Sequence, residues 1–469
     1  MSDRINDALQ LILSTDAYKL GHKDQYPNKT EFIFANLTPR KSFDKDIGDK
    51  IYVFGLDYIV KKLYSEWDMK FFSLKKKEFQ TVVELYQEKI SIFLGKKKDE
   101  IDIDHLKQLW TLNKLPLVFK YKKGESNIGE PIMVWWNTNR KFYWLPTYLE
   151  SYLLSRTWPI ITSSTISYHA KKSMNEFFKK TSDDKLKFLV DYQGHDFSMR
   201  GMSGIESGIL SGIGHLSNFS GTDTLPAYLE YEKFYGKKLN PIMSVVATEH
   251  SVMSSRGKEG EFELYKDLIK MYKNGIVSIV SDTYDFWNVI GNYLPNIRDE
   301  IKKRNGKIVI RPDSGDAIEI LFGNKNATNK WEKIGLLSSL SEIFGHSINN
   351  KGYKQLDNSI GVIYGDAINL SKIKSILKEA EKNKWASINI VFGMGGSTYQ
   401  RNTRDTLGFS IKATHMIVDG KDRPIYKNPK TDEGMKTSLY GFPTLKGKET
   451  IKTGVIYYIK KYYDFKLDN

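Results

Sequence analysis

The segment Ile308-Val309-Ile310-Arg311-Pro312-Asp313-Ser314-Gly315-Asp316 decides the fold. Three consecutive branched apolar residues make a short buried strand, and the charged, Pro- and Gly-containing stretch behind them is turn chemistry. The pattern recurs. Phe188 to Val190 leads towards His195-Asp196-Phe197, and Ile276 to Val280 leads to Ser281-Asp282-Thr283-Tyr284-Asp285. Ile360 to Tyr364 leads to Gly365-Asp366-Ala367, and Ile388 to Phe392 to Gly393-Met394-Gly395-Gly396. Helical stretches lie between these runs, as in Leu370 to Trp385, where Ile373, Ile376, Leu377 and Ala380 share one face. Strands alternating with helices build a parallel sheet whose reactive groups gather beyond the carboxyl ends of the strands. The expected fold class is therefore α/β, with a (β/α) barrel-like catalytic portion over residues 181–469 and an open sheet as the alternative. Residues 1–180 are aromatic-rich, with alternating segments at Glu31 to Asn36 and Pro131 to Trp136, and read as an α+β portion on which a C-terminal extension packs back.

Composition narrows the chemistry. The 469 residues contain 71 Lys+Arg against 56 Asp+Glu, a net charge of +15, and no cysteine. That excludes disulfides, a thiolate nucleophile, iron–sulfur clusters and zinc sites with a Cys ligand. Carboxylate, imidazole and phosphate chemistry remain. No apolar run approaches the length of a membrane span and the N-terminus lacks a secretory pattern, so a cytoplasmic protein without membrane contact is expected. The lysines fall in short scattered runs that read as solvated surface, and no helix-turn-helix, RNP or zinc pattern accompanies them, so nucleic acid is not an expected partner, and a non-enzymatic nucleic-acid-binding protein using the +15 charge is only the remote alternative.

Candidate residues sit just past the apolar runs. The Gly393–Gly396 turn lets backbone N–H groups approach a phosphate, and reads equally as an ordinary tight turn. Arg311 and Asp313 suit a polyphosphate together with a sugar diol or hydrated Mg²⁺, and equally a strand-ending Asx turn. Asp282, Asp285 and Asp366 each read singly as an N-cap, and as a set point to a diol and magnesium site. Asp223 is either a local cap or a buried acceptor for a substrate amide that would repel a carboxylate. Gly204, Gly208 and Gly212 leave a bare helix face for close packing. His250, beside Glu249 at the end of another apolar run, is either structural or an oriented nucleophile or acid/base.

Taken in order, these blocks resemble the nicotinamide phosphoribosyltransferases of NAD salvage over nearly the whole chain. The likeness runs from Thr15-Asp16-Ala17-Tyr18-Lys19 through His195-Asp196-Phe197-Ser198-Met199-Arg200-Gly201, Gly221-Thr222-Asp223-Thr224, Glu249-His250-Ser251 and the strand-end blocks above to Thr403-Arg404-Asp405. The resemblance implies transfer of a phosphoribosyl group from phosphoribosyl pyrophosphate to nicotinamide, with Mg²⁺, in a homodimer whose active sites are shared between subunits. It also implies optional ATP hydrolysis through a phosphorylated His250. On the same ground, His250, Asp282, Asp313 and Arg311 form the catalytic set. The substrate set is Asp16, Tyr18, Phe197, Arg200, Asp223, Ser278, Gly365, Asp366, Gly395, Gly396 and Arg404, with Arg40, Lys412 and Lys427 as further phosphate contacts. Phe197 and the partner's Tyr18 would sandwich the pyridine ring, and Asp223 would accept from its amide. No metal ligands are assigned; Mg²⁺ would be held by pyrophosphate and water near Asp282 and Asp313. Nicotinate phosphoribosyltransferase is the competing reading, disfavoured by Asp223. Ser198, Met199, Met243 and Ala367 depart from the family pattern around the pyridine tunnel and ribose loop.

Overall fold

A computed structural model describes residues 3–431, 437–446 and 449–463. The chain divides into two compact units, residues 1–161 with 404–469, and residues 162–403. Composition changes near residue 180, but the boundary falls inside the long helix Glu150–Thr181, whose early turns belong to the first unit and whose later turns belong to the second.

The second unit carries the expected parallel strands. They are β1 (Gly194–Asp196), β2 (Gly221–Thr222), β3 (Val246–Ala247), β4 (Asn274–Val280), β5 (Asn305–Arg311), β6 (Ile360–Tyr364) and β7 (Ile390–Met394). Their order in the sheet is β2-β1-β7-β6-β5-β4-β3, all neighbours parallel. A further parallel bridge from Gly221 to Met243, just ahead of β3, joins the two edges. The strands thus follow one another in chain order around a (β/α) barrel, as the alternation predicts, and the open sheet is excluded.

Local sequence explains most of these elements. Every residue of β6 is buried, as expected of a continuous apolar run covered on both faces. The helix Leu370–Lys382 buries Ile373, Ile376, Leu377 and Ala380, and Asn369 caps it by accepting from Lys372 N at 2.9 Å. Helix Leu225–Tyr235 starts with Pro226 in its first turn and stops at Gly236. Of the three spaced glycines, Gly204 precedes the helix Ile205–Leu216 as its N-cap with φ +126°, and of the two inside it only Gly212 is required by packing: a Cβ there would lie 2.4 Å from Ala227 Cβ.

The run Phe188 to Val190 is not a strand. It lies in the 3₁₀ helix Asp184–Tyr192, and the strand is the polar triplet Gly194-His195-Asp196 behind it. Gly194 is needed there, because a Cβ would sit 2.8 Å from the Phe219 ring.

In the first unit, five antiparallel strands run in the order Lys421–Pro424, Phe409–Val418, Thr30–Pro39, Met133–Asn137, Leu117–Tyr121. Phe32, Phe34, Val134, Trp136 and Ile417 pack with Phe442, Val455 and Ile459, so the C-terminal helix Val455–Tyr463 covers this sheet. Among the described residues no helix is long and apolar enough to cross a membrane.

Candidate active site

Consecutive barrel strands deliver the candidate residues to one rim. Phe197 and Arg200 follow β1, Asp223 follows β2, His250 follows β3 and Asp282 follows β4. Arg311 ends β5 with Asp313 behind it, Gly365 and Asp366 follow β6, and Gly395 and Gly396 follow β7. Ser278 differs: it lies within β4, buried, its carbonyl accepting from Thr248 N at 3.0 Å.

The carboxylates separate by role. Asp285 caps the short helix Phe286–Asn288 through Asn288 N at 3.0 Å, and Asp316 caps Ala317–Phe322 through Ile318 N and Glu319 N at 2.9 and 3.1 Å. Asp282 caps nothing. Its Oδ2 accepts from Asp313 N at 3.0 Å and Ser314 Oγ at 2.5 Å, tying the β4 turn to the β5 turn. Its Oδ1 is buried without a partner, as is Nε of Arg311 on the adjacent strand, whose Nη2 donates to Thr248 O at 3.2 Å. Buried polar atoms left unpaired are rare. Here an acceptor and a cationic donor, on the ends of two neighbouring strands, are both left without a partner.

His250 is half exposed, its Nδ1 3.0 Å from Thr283 Oγ1 and its Nε2 3.8 Å from Asp313 Oδ2. Tyr364 donates to Gly315 O at 2.7 Å. Burial and the nearby charges of Asp366, Asp316, Asp313 and Asp282 push its phenol well above the ordinary range, a measure of how negative this side of the rim is.

The opposite side is aromatic and glycine-lined. Phe197 N donates to Met394 O at 3.0 Å, and the ring lies directly over Gly393, where a Cβ would come within 2.5 Å of it. Gly365 borders the same ring. Gly395 has φ −102° and a Cβ there would meet nothing within 4 Å, so neither backbone conformation nor packing within the chain requires that glycine. What its absent side chain leaves is open room over the backbone, the approach an anionic group needs. The Arg200 turn packs beside it, a Cβ at Gly201 lying 3.3 Å from Gly396 Cα.

Asp223 Oδ1 accepts from His195 Nε2 at 2.9 Å and from Ser244 Oγ. Burial opposes ionisation, but these bonds and the charge of Arg311 outweigh it and hold the carboxyl below its ordinary value. Its Oδ2 has no hydrogen-bond partner among the described residues, and the side chain is 45% exposed, so Asp223 is neither the local cap nor the fully buried acceptor expected from the sequence but an acceptor open to solvent.

The remaining candidates lie in the first unit. Asp16 Oδ2 accepts from Ser151 Oγ at 2.5 Å, and Tyr18 is 63% exposed with Lys19 Nζ 5.1 Å from its ring centre. Arg40 Nε donates to Gly408 O at 3.1 Å. Lys412 lies in the strand beside Asn36, its ammonium 3.8 Å from Glu150. Burial and the charges of Arg40, Lys19 and Lys427 lower its pKa, so these four cations form one cluster. Arg404 stands apart from that cluster in its bonding, donating through Nε and Nη2 to its neighbour Asp405 at 3.1 and 2.8 Å.

Sequence reasoning assigned no role to Asp196, Thr222, Thr224, Ser244, Thr283 or Ser314, all of which hold these groups in place. Small polar residues at strand ends are common, and only pairing across turns distinguishes these.

A family model described as the nicotinate phosphoribosyltransferase (NAPRTase) family matches residues 192–456, and one described as the nicotinamide phosphoribosyltransferase N-terminal domain matches residues 10–101. The chain is 39% identical over 456 residues to a nicotinamide phosphoribosyltransferase of Acinetobacter baylyi, covering 94% of this chain and 88% of that protein. It is 32% identical over 442 residues to one of Mycoplasma pneumoniae, covering 91% and 94%. The crystal structure of human nicotinic acid phosphoribosyltransferase shares the fold at a TM-score of 0.53 and 13% identity, covering 87% of this chain and 75% of that one. With a family model over more than half its length and full-length relatives at this identity, the chain belongs to the nicotinate phosphoribosyltransferase family and carries the nicotinamide phosphoribosyltransferase N-terminal domain.

Proposed function

We propose that the protein is a nicotinamide phosphoribosyltransferase, forming nicotinamide mononucleotide and pyrophosphate from nicotinamide and phosphoribosyl pyrophosphate in NAD salvage. The observation that carries this reading is Asp223, an ionised carboxylate with one oxygen unpaired, beside an aromatic ring seated on glycine. An amide N–H₂ satisfies such an acceptor, whereas a second carboxylate is repelled by it. The pyridine lies on Phe197, and its ring nitrogen bonds to the anomeric carbon as the bond from that carbon to the pyrophosphate oxygen breaks. Arg200, Arg311 and His250 receive the leaving pyrophosphate, and Gly395 and Gly396 receive the 5′-phosphate; the resemblance alone adds Arg404, Arg40, Lys412 and Lys427 as phosphate contacts. Asp313, Gly365 and Asp366 hold the ribose hydroxyls. Asp282 lies where fixed negative charge stabilises the cationic sugar centre that develops during transfer.

Among the described residues no group of three or more His, Asp or Glu side chains could hold a metal. The orphaned Oδ1 of Asp282 and the carboxylate of Asp313 instead fit a Mg²⁺ ion that arrives with pyrophosphate oxygens and water as most of its ligands. Such an ion, held beside Asp282 and Asp313, would supply positive charge to the leaving group. ATP fits as a coupled co-substrate through His250: an imidazole nitrogen takes the γ-phosphoryl group, the β–γ bridging bond breaks, ADP leaves, and water later frees the histidine. The half-exposed ring suits this: with its proton on Nε2, on the Asp313 side, Nδ1 would carry the lone pair and become the nucleophile once the Thr283 hydroxyl turns away. The exposed Tyr18 suits donation to the site of a second subunit, as the homodimer reading requires. A cytoplasmic setting agrees with the lack of cysteine and with these substrates.

Substituting Asp223→Asn tests the specificity argument. Nicotinamide use should fall and nicotinate use rise; unchanged nicotinamide kinetics with no gain on nicotinate would overturn it.

A further inference from the structure

We infer that Asp196, at the end of β1, is a positioning residue that fixes the pyridine platform and the amide acceptor relative to each other. The inference rests on the reading of Phe197 and Asp223 as the nicotinamide site. Asp196 is fully buried. Its Oδ1 accepts from Ser198 N at 2.9 Å, and its Oδ2 from Thr224 Oγ1 at 2.7 Å and Thr222 Oγ1 at 3.2 Å. Its carbonyl accepts from Asp223 N at 3.0 Å. No lysine, arginine or histidine forms an ion pair with it among the described residues.

The placement of these bonds is the argument. Phe197 lies between Asp196 and Ser198, so one carboxylate oxygen closes the turn that carries the ring. Asp223 lies between Thr222 and Thr224, so the other oxygen, through two hydroxyls, closes the turn that carries the acceptor. Thr222 Oγ1 in turn accepts from Thr224 N at 3.0 Å, which locks the second turn. His195 and Ser244 hold the Asp223 carboxylate itself, leaving Asp196 to act on the backbone beneath it.

A buried carboxylate satisfied only by neutral donors is costly, and core stability alone does not require one. What the site requires is an acceptor at both oxygens. An amide at residue 196 keeps the bond from Ser198 N only by turning both threonine hydroxyls to accept from its N–H₂, which changes the Asp223 turn. Loss of the threonine link therefore falls on the Asp223 turn and on recognition of the base; of the proposed phosphoribosyl pyrophosphate contacts on the barrel rim, only Arg200 follows β1, behind the bond from Ser198 N that a change at Thr224 leaves in place, and the others lie on the turns after β3 to β7.

The test measures steady-state kinetics and thermal melting of Thr224→Val, Thr224→Ser and Asp196→Asn, with Asp223→Ala as the control for the site itself. Thr224→Val keeps shape and removes one donor. The expected result is a rise in KM for nicotinamide of about tenfold, the effect of losing about 1.4 kcal/mol of binding. KM for phosphoribosyl pyrophosphate should stay at its wild-type value, the melting temperature should fall modestly because a buried carboxylate loses one donor, and Thr224→Ser should restore both the KM and the melting temperature. Asp196→Asn should raise the same KM if it folds; Thr224→Val decides the matter if it does not. Unchanged KM for nicotinamide in Thr224→Val while Asp223→Ala raises it would overturn this inference alone. If both KM values rise and the melting temperature falls together, Asp196 is merely structural and the inference also fails. An unaffected KM in Asp223→Ala would refute the base site and this inference with it.

Discussion

Gly393→Ala offers a sharp probe of the pyridine platform, because the structure fixes what the added methyl meets. Its Cβ would lie 2.5 and 2.6 Å from two carbons of the Phe197 ring and 3.0 Å from Gly365 Cα. Ordinary contact begins at 3.4 Å, so the ring must retreat by about 0.9 Å, or β6 and β7 must part. Overpacking of this kind costs about 1–3 kcal/mol of stability. Displacing an aromatic face from a stacked partner forfeits about 0.5–1.5 kcal/mol, about two- to tenfold in KM for nicotinamide. The assay pairs kinetics at saturating phosphoribosyl pyrophosphate with urea unfolding, for Gly393→Ala alone and combined with Phe197→Leu, whose smaller side chain leaves room for the methyl. The stability loss should largely disappear in the double variant. A folded Gly393→Ala enzyme with unchanged KM for nicotinamide, or a stability loss that persists without the ring, would refute the account of Phe197.

Three further outcomes follow. Asp282→Asn should lower kcat by about 10²–10³-fold, the usual cost of removing one preorganised electrostatic group, with the fold retained because an amide oxygen still accepts from Asp313 N; single-turnover rates check this. His215 is buried, with Nδ1 2.7 Å from Tyr399 Oη and Nε2 2.9 Å from Gly221 O, and burial lowers its pKa from 6.5 to about 4. A histidine kept neutral by the fold stabilises it above pH 6.5, and that stability is lost as pH falls towards 4, so unfolding free energy should drop by about 2 kcal/mol between pH 7 and 5, an effect absent in His215→Gln. Ala367 has φ +48°, the left-handed region, so Ala367→Gly should stabilise the protein through the loop after β6 by about 0.5–1 kcal/mol in urea unfolding.

Much of this site was readable because barrel strands announce themselves twice, first as an apolar run and then as a change of chemistry at its carboxyl end. Ile308–Ile310 with Arg311-Pro312-Asp313, and Ile360–Tyr364 with Gly365-Asp366, show both signals and fall where expected. β1 shows neither. Its three residues, Gly194-His195-Asp196, are buried and mostly polar, and pairing with β7 decides their conformation rather than local preference. The apolar run ahead of them coils into a 3₁₀ helix instead. Spacing alone could not divide capping carboxylates from those that tie one strand-end turn to the next: Asp282 and Asp285 stand three apart, and only the bonds from Asp313 N and Asn288 N tell them apart. The Asp196 link was hidden for the same reason, since its partners come from a neighbouring strand end.

The central claim is most directly tested by offering nicotinamide and nicotinic acid in competition to the purified protein with phosphoribosyl pyrophosphate and Mg²⁺, with and without ATP, and resolving products by mass. The account predicts nicotinamide mononucleotide as the dominant product, with a gain from ATP that disappears in His250→Ala. Nicotinate mononucleotide as the dominant product, or no mononucleotide from either base, would contradict it.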